Sequence, residues 1–131
     1  MDSAKLILIQ RKNSKKKNLE IKILSCELPQ DFISDPKELR EILDLLKPKL
    51  KLLNQHFIIC LGITMNNKVN LVCSVSESLQ NQMKAGDLIS HLAPMVGGKG
   101  GGRADFAQAG GTQKEHLSKA LESVKHWVTG S

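Results

Sequence analysis

Seven of the chain's ten glycines fall between residues 97 and 111, in the string GGKGGGRADFAQAGG. Glycine loses more conformational freedom on ordering than any other residue, so such a run costs stability that another contact must offset. The usual gain is close approach: without Cβ atoms, main-chain N–H groups can crowd around an anion, and positive φ becomes available for a tight turn. Lys99 and Arg103 sit inside the run, which points to a phosphate or another polyanion rather than an apolar ligand. Read by residue type, the backbone of Gly98 and the N–H groups of Gly100, Gly101 and Gly102 meet a phosphate and Lys99 adds a point charge. Arg103 offers a planar fork that bonds bidentately or stacks on a base. Gln108 carries donors and acceptors for a base edge or a 2′-hydroxyl, and Phe106 is either a stacking ring for an unpaired base or a core anchor for the loop. A plain flexible linker would favour Gly and Ser, whereas this run interleaves charged, amide and aromatic side chains.

Other chemistries fail on spacing. A phosphate-binding Walker loop needs G-x-x-x-x-G-K-[ST], but Gly98-Lys99 is followed by Gly100 and position 93 is Ala93. A dinucleotide fingerprint fails too, because Arg103 or Asp105 stands where its third glycine belongs. His56, His91, His116 and His126 form no metal-binding pattern with one another or with the cysteines, so no metal site is expected. No carboxylate pair and no Ser/His or Cys/His arrangement stands out, so no catalytic residue is assigned. Cys26, Cys60 and Cys73 are odd in number and widely spaced, and read as reduced core thiols of a cytoplasmic protein.

The elements that position the glycine run must come from a single domain, since the chain has 131 residues. Hydrophobic residues at 40% and charged residues at 24% exclude wholesale disorder. The aromatic residues are only Phe32, Phe57, Phe106 and Trp127, too few for a broad base-stacking platform. Net charge is +6, yet residues 1–23 hold seven of the 19 basic residues against two of the 13 acidic ones. The folded body is therefore nearly neutral, and basicity alone does not make it a nucleic-acid binder. The lysine run KNSKKK at 12–17 reads either as a solvated lead-in or as an electrostatic arm placing Lys15, Lys16 and Lys17 against phosphates. LILI at 6–9 is too short for a membrane span, and no membrane partner is expected.

Residues 1–18 read as an arm, with helix and strand both open for 4–11, and residues 19–131 as the globular domain. LEIKILSCEL at 19–28 alternates apolar with polar, as a half-buried strand does. Pro36 suits a first helical turn, with Leu39, Ile42, Leu43 and Leu46 on one face, and Pro48 is expected to end or kink that helix. FIICLGI at 57–63 predicts a strand covered on both faces, and Asn66-Asn67 a hairpin turn into VNLVCSV. Residues 86–96 are helical in pattern, with a kink or a break demanded at Pro94. Thr112 and Glu115 suggest a capping box for a last helix whose buried stripe is Leu117, Ala120, Leu121, Val124 and Val128. The expected fold is α/β: a small mixed or antiparallel sheet covered by helices, with a glycine-rich loop between the last two helices.

VGGKGGGRADFAQAGG, preceded by KAGDLISHLAPM and followed by ALESVKHWV, together with FIICLGITMNNKVNLVCSVS, closely resembles the C-terminal domain of bacterial alanyl-tRNA synthetases over roughly residues 19–129. The family pattern has proline after the arginine and often methionine before AQ; Ala104 and Phe106 stand there instead. The resemblance implies a tRNA-binding domain that recognises the outer corner of tRNA and supports aminoacylation and editing by the full-length enzyme, with no catalysis of its own. It implies no cofactor for this domain: ATP and a divalent metal belong to the catalytic and editing domains. It implies tRNA as partner and, in parts of the family, a second copy as well, and it makes residues 1–18 the end of a preceding helical segment. Two alternatives stand beside it: an oligomerisation domain of the synthetase, and a phosphate-binding accessory domain of a DHH-type phosphoesterase.

Overall fold

The computed structural model describes residues 5–12 and 18–129. Strands β1 (Lys5–Lys12), β2 (Asn18–Glu27), β3 (Phe57–Met65), β4 (Lys68–Val75), β5 (Lys99–Gly102) and β6 (Phe106–Gly111) form one sheet in the order β1-β2-β3-β4-β6-β5. Only β2 and β3 run parallel; every other neighbouring pair is antiparallel. The parallel pair requires a crossover, and α1 (Lys37–Leu53) supplies it. The expected mixed sheet with helical cover is therefore what forms.

Three strands go beyond the sequence pattern. Lys5–Lys12, left open by its sequence and made a helix end by the resemblance, is the strand β1 because its backbone is bonded along β2, from Lys5 opposite Ser25 to Lys12 opposite Asn18. The glycine run lies between the last two helices as expected, but as a strand pair, β5 and β6, rather than a loop.

Each face of the sheet has its own core. On one face α1 places Leu39, Leu43 and Leu50 over Phe57, Ile59, Leu61, Ile63, Val72 and Phe106. On the other, α2 (Ala85–Leu92) and α3 (Leu117–Thr129) cover Ile21, Ile23, Ile58, Cys60, Leu71 and Cys73. β3 is buried from Phe57 to Thr64, which explains its unbroken apolar run. Each fully buried Leu or Ile contributes about 1.5–3 kcal/mol.

Local chemistry sets the boundaries. Asn66 and Asn67 take φ of 53° and 64°, so the β3–β4 turn has positive φ at both central residues, the twist that hairpins favour. The Asp35 carboxylate accepts the Lys37 N–H at 2.9 Å as α1 begins. Of the end or kink expected at Pro48, the end does not occur: α1 continues to Leu53, although proline removes one donor, and buried Leu50 holds the last turn to the core. Pro94 does end α2, which passes into a 3-10 turn, Ala93–Val96. The capping box at Thr112 does not form. Its hydroxyl bonds the Gly97 carbonyl at 3.5 Å, and α3 starts at Leu117 after a 3-10 turn, Lys114–His116. The stripe foreseen for α3 is buried at all five positions.

Candidate nucleic-acid interface

The glycine strand begins at a left-handed residue. Gly97, φ 69°, closes the 3-10 turn after α2, and the Gly98 N–H donates to the Ala93 carbonyl at 2.9 Å. β5 then pairs with β6 in the register Lys99–Gly110, Gly100–Ala109, Gly101–Gln108, Gly102–Ala107. The Arg103 N–H bonds the Phe106 carbonyl at 2.8 Å and closes the turn. Antiparallel ladders alternate, so Lys99 and Gly101 direct their N–H groups into β6, while those of Gly100 and Gly102 face the open edge of the sheet. The main-chain donors available to an anion are therefore Gly100 and Gly102. Gly98 and Gly101, also expected to donate, spend their N–H groups inside the fold.

The turn is held by α2 and β4. The Arg103 carbonyl accepts from the Gly86 N–H at 2.9 Å and the Ala104 carbonyl from the Ala85 N–H at 3.0 Å. The Asp105 carbonyl accepts from the Val75 N–H at 3.2 Å and the Ser74 hydroxyl at 2.9 Å. The first N–H groups of α2, which a phosphate could otherwise use, are thus taken by the hairpin turn.

Most of the glycines answer to packing within the hairpin. A Cβ at Gly100 would lie 2.3 Å from the Ala109 Cβ, and one at Gly102 would lie 2.5 Å from the Ala107 Cα. A Cβ at Gly98 would run into the Gly110 carbonyl. β5 coils tightly onto β6, and only glycine permits it. Gly101 differs: nothing lies within 4 Å of a Cβ built there.

The charged side chains stand out in solvent. Lys99 is exposed, and Arg103 is exposed with its Nε 3.3 Å from an Asp105 carboxylate oxygen. At 71% and 46% side-chain exposure this pair adds little stability, so Arg103 can exchange Asp105 for a phosphate at small cost. Gln108 is exposed beside Gly101. Phe106 is no stacking platform. It is 7% exposed in the core under α1, and the Arg40 guanidinium lies 4.1 Å over its ring. Its alternative reading, an anchor for the glycine segment, is what the fold makes of it. Lys15, Lys16 and Lys17 lie outside the described residues.

Sequence reasoning missed a second group. Lys68 and Asn70 on β4, with Lys37 at the start of α1, line the depressions beside Lys99, Gln108 and Gly110. The signal was present in β4: Lys68, Asn70, Val72 and Ser74 alternate onto the α1 face, and a polar Asn70 there marks where the helix cover stops.

Among the described residues no group of three or more His, Cys, Asp or Glu could hold a metal, and no helix is long and apolar enough to cross a membrane. Cys26, Cys60 and Cys73 are all buried. Cys60 and Cys73 face each other across β3 and β4 with sulfurs 2.8 Å apart, and burial first, then the Cys60 contact, raises the Cys73 thiol well above its ordinary value.

A family model for the DHHA1 domain matches residues 20–130. The alanine–tRNA ligase of Chromohalobacter salexigens is 51% identical over 92 residues, which is 70% of this chain and 10% of that enzyme. The Staphylococcus aureus alanine–tRNA ligase is 47% identical over 96 residues, 73% of this chain and again 10% of the enzyme. The chain thus spans about a tenth of the length of these relatives. The crystal structure of the C-Ala domain from Aquifex aeolicus alanyl-tRNA synthetase superposes with a TM-score of 0.73 at 24% identity, covering 84% of this chain and 93% of that one, and shares its fold. The resemblance drawn from the glycine string therefore holds, and the chain belongs to the DHHA1 domain family.

Proposed function

We propose that this chain is the tRNA-binding C-terminal module of an alanine–tRNA ligase, contacting the outer corner of tRNA through the β5–β6 hairpin and acting without chemistry of its own. The observation that carries the reading is the open edge of β5. Gly100 and Gly102 direct main-chain N–H groups outward between two exposed cations, Lys99 and Arg103, in a domain whose relatives include alanine–tRNA ligases. Backbone donors and cations recognise phosphate position rather than sequence, which suits a folded RNA read by shape. Binding is expected to be indifferent to the anticodon.

The test is a titration of folded tRNA with the chain and with a Lys99→Ala/Arg103→Ala variant over several salt concentrations. Each lost phosphate contact lowers the log–log salt slope by about 1. A weaker, shallower-sloped variant supports the reading. Equal affinity and slope would remove the hairpin from the interface, and affinities that tracked the anticodon would remove recognition by shape.

One observation favours a second reading, contact with another protein surface such as a second copy. Leu45, Leu52 and Leu53 on α1 are 68%, 88% and 59% exposed. Light scattering over a concentration series decides it: a strict monomer sinks self-association.

A further inference from the structure

The face of the sheet under α1 is only partly roofed. The helix covers Phe57, Ile59, Leu61, Ile63, Val72 and Phe106, and stops short of the corner where β4, β6 and β5 continue the same face. There the surface carries Asn70, Gln108 and Gly110 with Lys99 beside them, bounded by Lys37 and Lys68. Two adjoining depressions of ≈ 530 and ≈ 420 Å³ share Pro36, Asn70 and Gly110. Each is of the size that small-molecule sites occupy.

Charge sets this corner apart. Its lining includes three lysines and no carboxylate. The depression at the other end of α1 balances Lys47 and Lys51 against Glu77 and Asp105, and the one at the start of α2 sets Lys84 and Arg103 against Asp87. Two carboxylates stand at its rim: Asp35 accepts the Lys37 N–H, and Glu38 accepts from the Ser34 hydroxyl at 2.9 Å.

The floor supplies an independent observation. Gly110 takes no positive φ, and a Cβ built on it would meet only the Val69 carbonyl, at an ordinary 3.6 Å. Gly101, on the same face beside Gln108, would meet nothing. Neither glycine is required by the fold, unlike Gly98, Gly100 and Gly102. A side chain at Gly110 would stand up from the sheet into the uncovered corner, while Gly101 borders the neighbouring depression at the start of α2. What the absence of a side chain leaves is a main-chain floor at Gly110 with the Asn70 and Gln108 amides beside it.

We propose that this corner seats one unpaired nucleotide of the bound RNA. The base lies on the glycine floor with its edge against the Asn70 and Gln108 amides, and the flanking phosphates meet Lys37, Lys68 and Lys99. The amides supply both donors and acceptors, as an exposed base edge requires. The inference rests on the RNA-binding reading and adds residues from β4 and α1 to the hairpin edge.

The experiment uses the ¹⁵N-labelled chain, titrated with folded tRNA and separately with an unstructured RNA tetranucleotide. Two variants accompany it, Lys37→Glu/Lys68→Glu and Gly110→Val, whose folding is checked by thermal melts. The side-chain amide signals of Asn70 and Gln108 are expected to shift with both RNAs. Both variants are expected to melt like the parent and bind tRNA at least about ten-fold more weakly, a loss of about 1.4 kcal/mol. If tRNA binds and these variants bind it unchanged, the seat is wrong while the hairpin reading survives. Should tRNA fail to bind at all, the hairpin reading falls. The tetranucleotide then decides the seat alone, shifts at Asn70 and Gln108 supporting it and their absence overturning it.

Discussion

The N–H of Gly86 donates to the carbonyl of Arg103 at 2.9 Å, so the first turn of α2 and the tip of the glycine hairpin are a single hydrogen-bonded unit. A Cβ at Gly86 would lie 2.9 Å from the Gly102 carbonyl oxygen, a main-chain atom that cannot swing aside. Gly86→Ala is therefore expected to separate the two elements and cost about 1–3 kcal/mol, read as a lower urea midpoint. Lys84→Ala, on the same turn, should leave the midpoint nearly unchanged.

Adjacent glycines on β5 should respond in opposite ways. Gly100→Ala places a methyl group 2.3 Å from the Ala109 Cβ and 2.4 Å from the Gln108 carbonyl oxygen, and is expected to destabilise by roughly 1–3 kcal/mol. Gly101→Ala meets nothing and should be neutral or stabilise by up to about 1 kcal/mol, because alanine restricts the unfolded chain. Thermal melts of the two variants side by side check this. A destabilised Gly101→Ala would show that the face is occupied in the folded chain.

Phe106 and Arg40 are expected to act on stability rather than on RNA stacking. Truncating the buried ring with Phe106→Ala should cost about 3–5 kcal/mol. Arg40→Ala removes the cation over the ring and should cost about 0.5–1 kcal/mol. Phe106→Leu, which keeps the core filled, is expected to bind tRNA as the parent does. A large loss of affinity in that folded variant would restore a stacking role to the ring.

The fold keeps the proton on Cys73 at pH values where an unfolded chain has released it, because burial raises this thiol above its ordinary 9.0. The folded state then binds more protons than the unfolded state, and stability falls as pH rises through that window. Urea midpoints at about pH 8 and about pH 10 are expected to drop more for the parent than for Cys73→Ala. Equal drops would count against a buried, protonated Cys73.

Periodicity made the frame of the fold legible. The buried run of β3, the Asn66-Asn67 turn and the α3 stripe each follow from neighbours only a few residues away, the range over which sequence pattern speaks. The glycine hairpin was not legible as strand, because its strand character resides in ladder bonds to β4, some 30–40 residues upstream, and not in side chains that favour extension. At Pro48 local cost allowed an end or a kink, and the helix runs on to Leu53 with Leu50 buried in the core. At the site, Lys99 and Arg103 were legible as exposed cations within a glycine run. Lys37, Lys68 and Asn70 were not, since only the pairing of β4 with β6 and the placement of α1 bring them beside Gly110.

The glycine hairpin is tied at both ends. At its tip three consecutive carbonyls are bonded to α2 and β4, and at its base the N–H groups of Thr112 and Gln113 both reach the Val96 carbonyl, at 3.0 and 2.9 Å. A segment whose composition promises slackness is thus already ordered before any ligand arrives. Association with a rigid surface through such a strand needs no folding step, so it should proceed at a rate set by encounter and charge, with little of the entropic penalty of ordering a loose glycine segment.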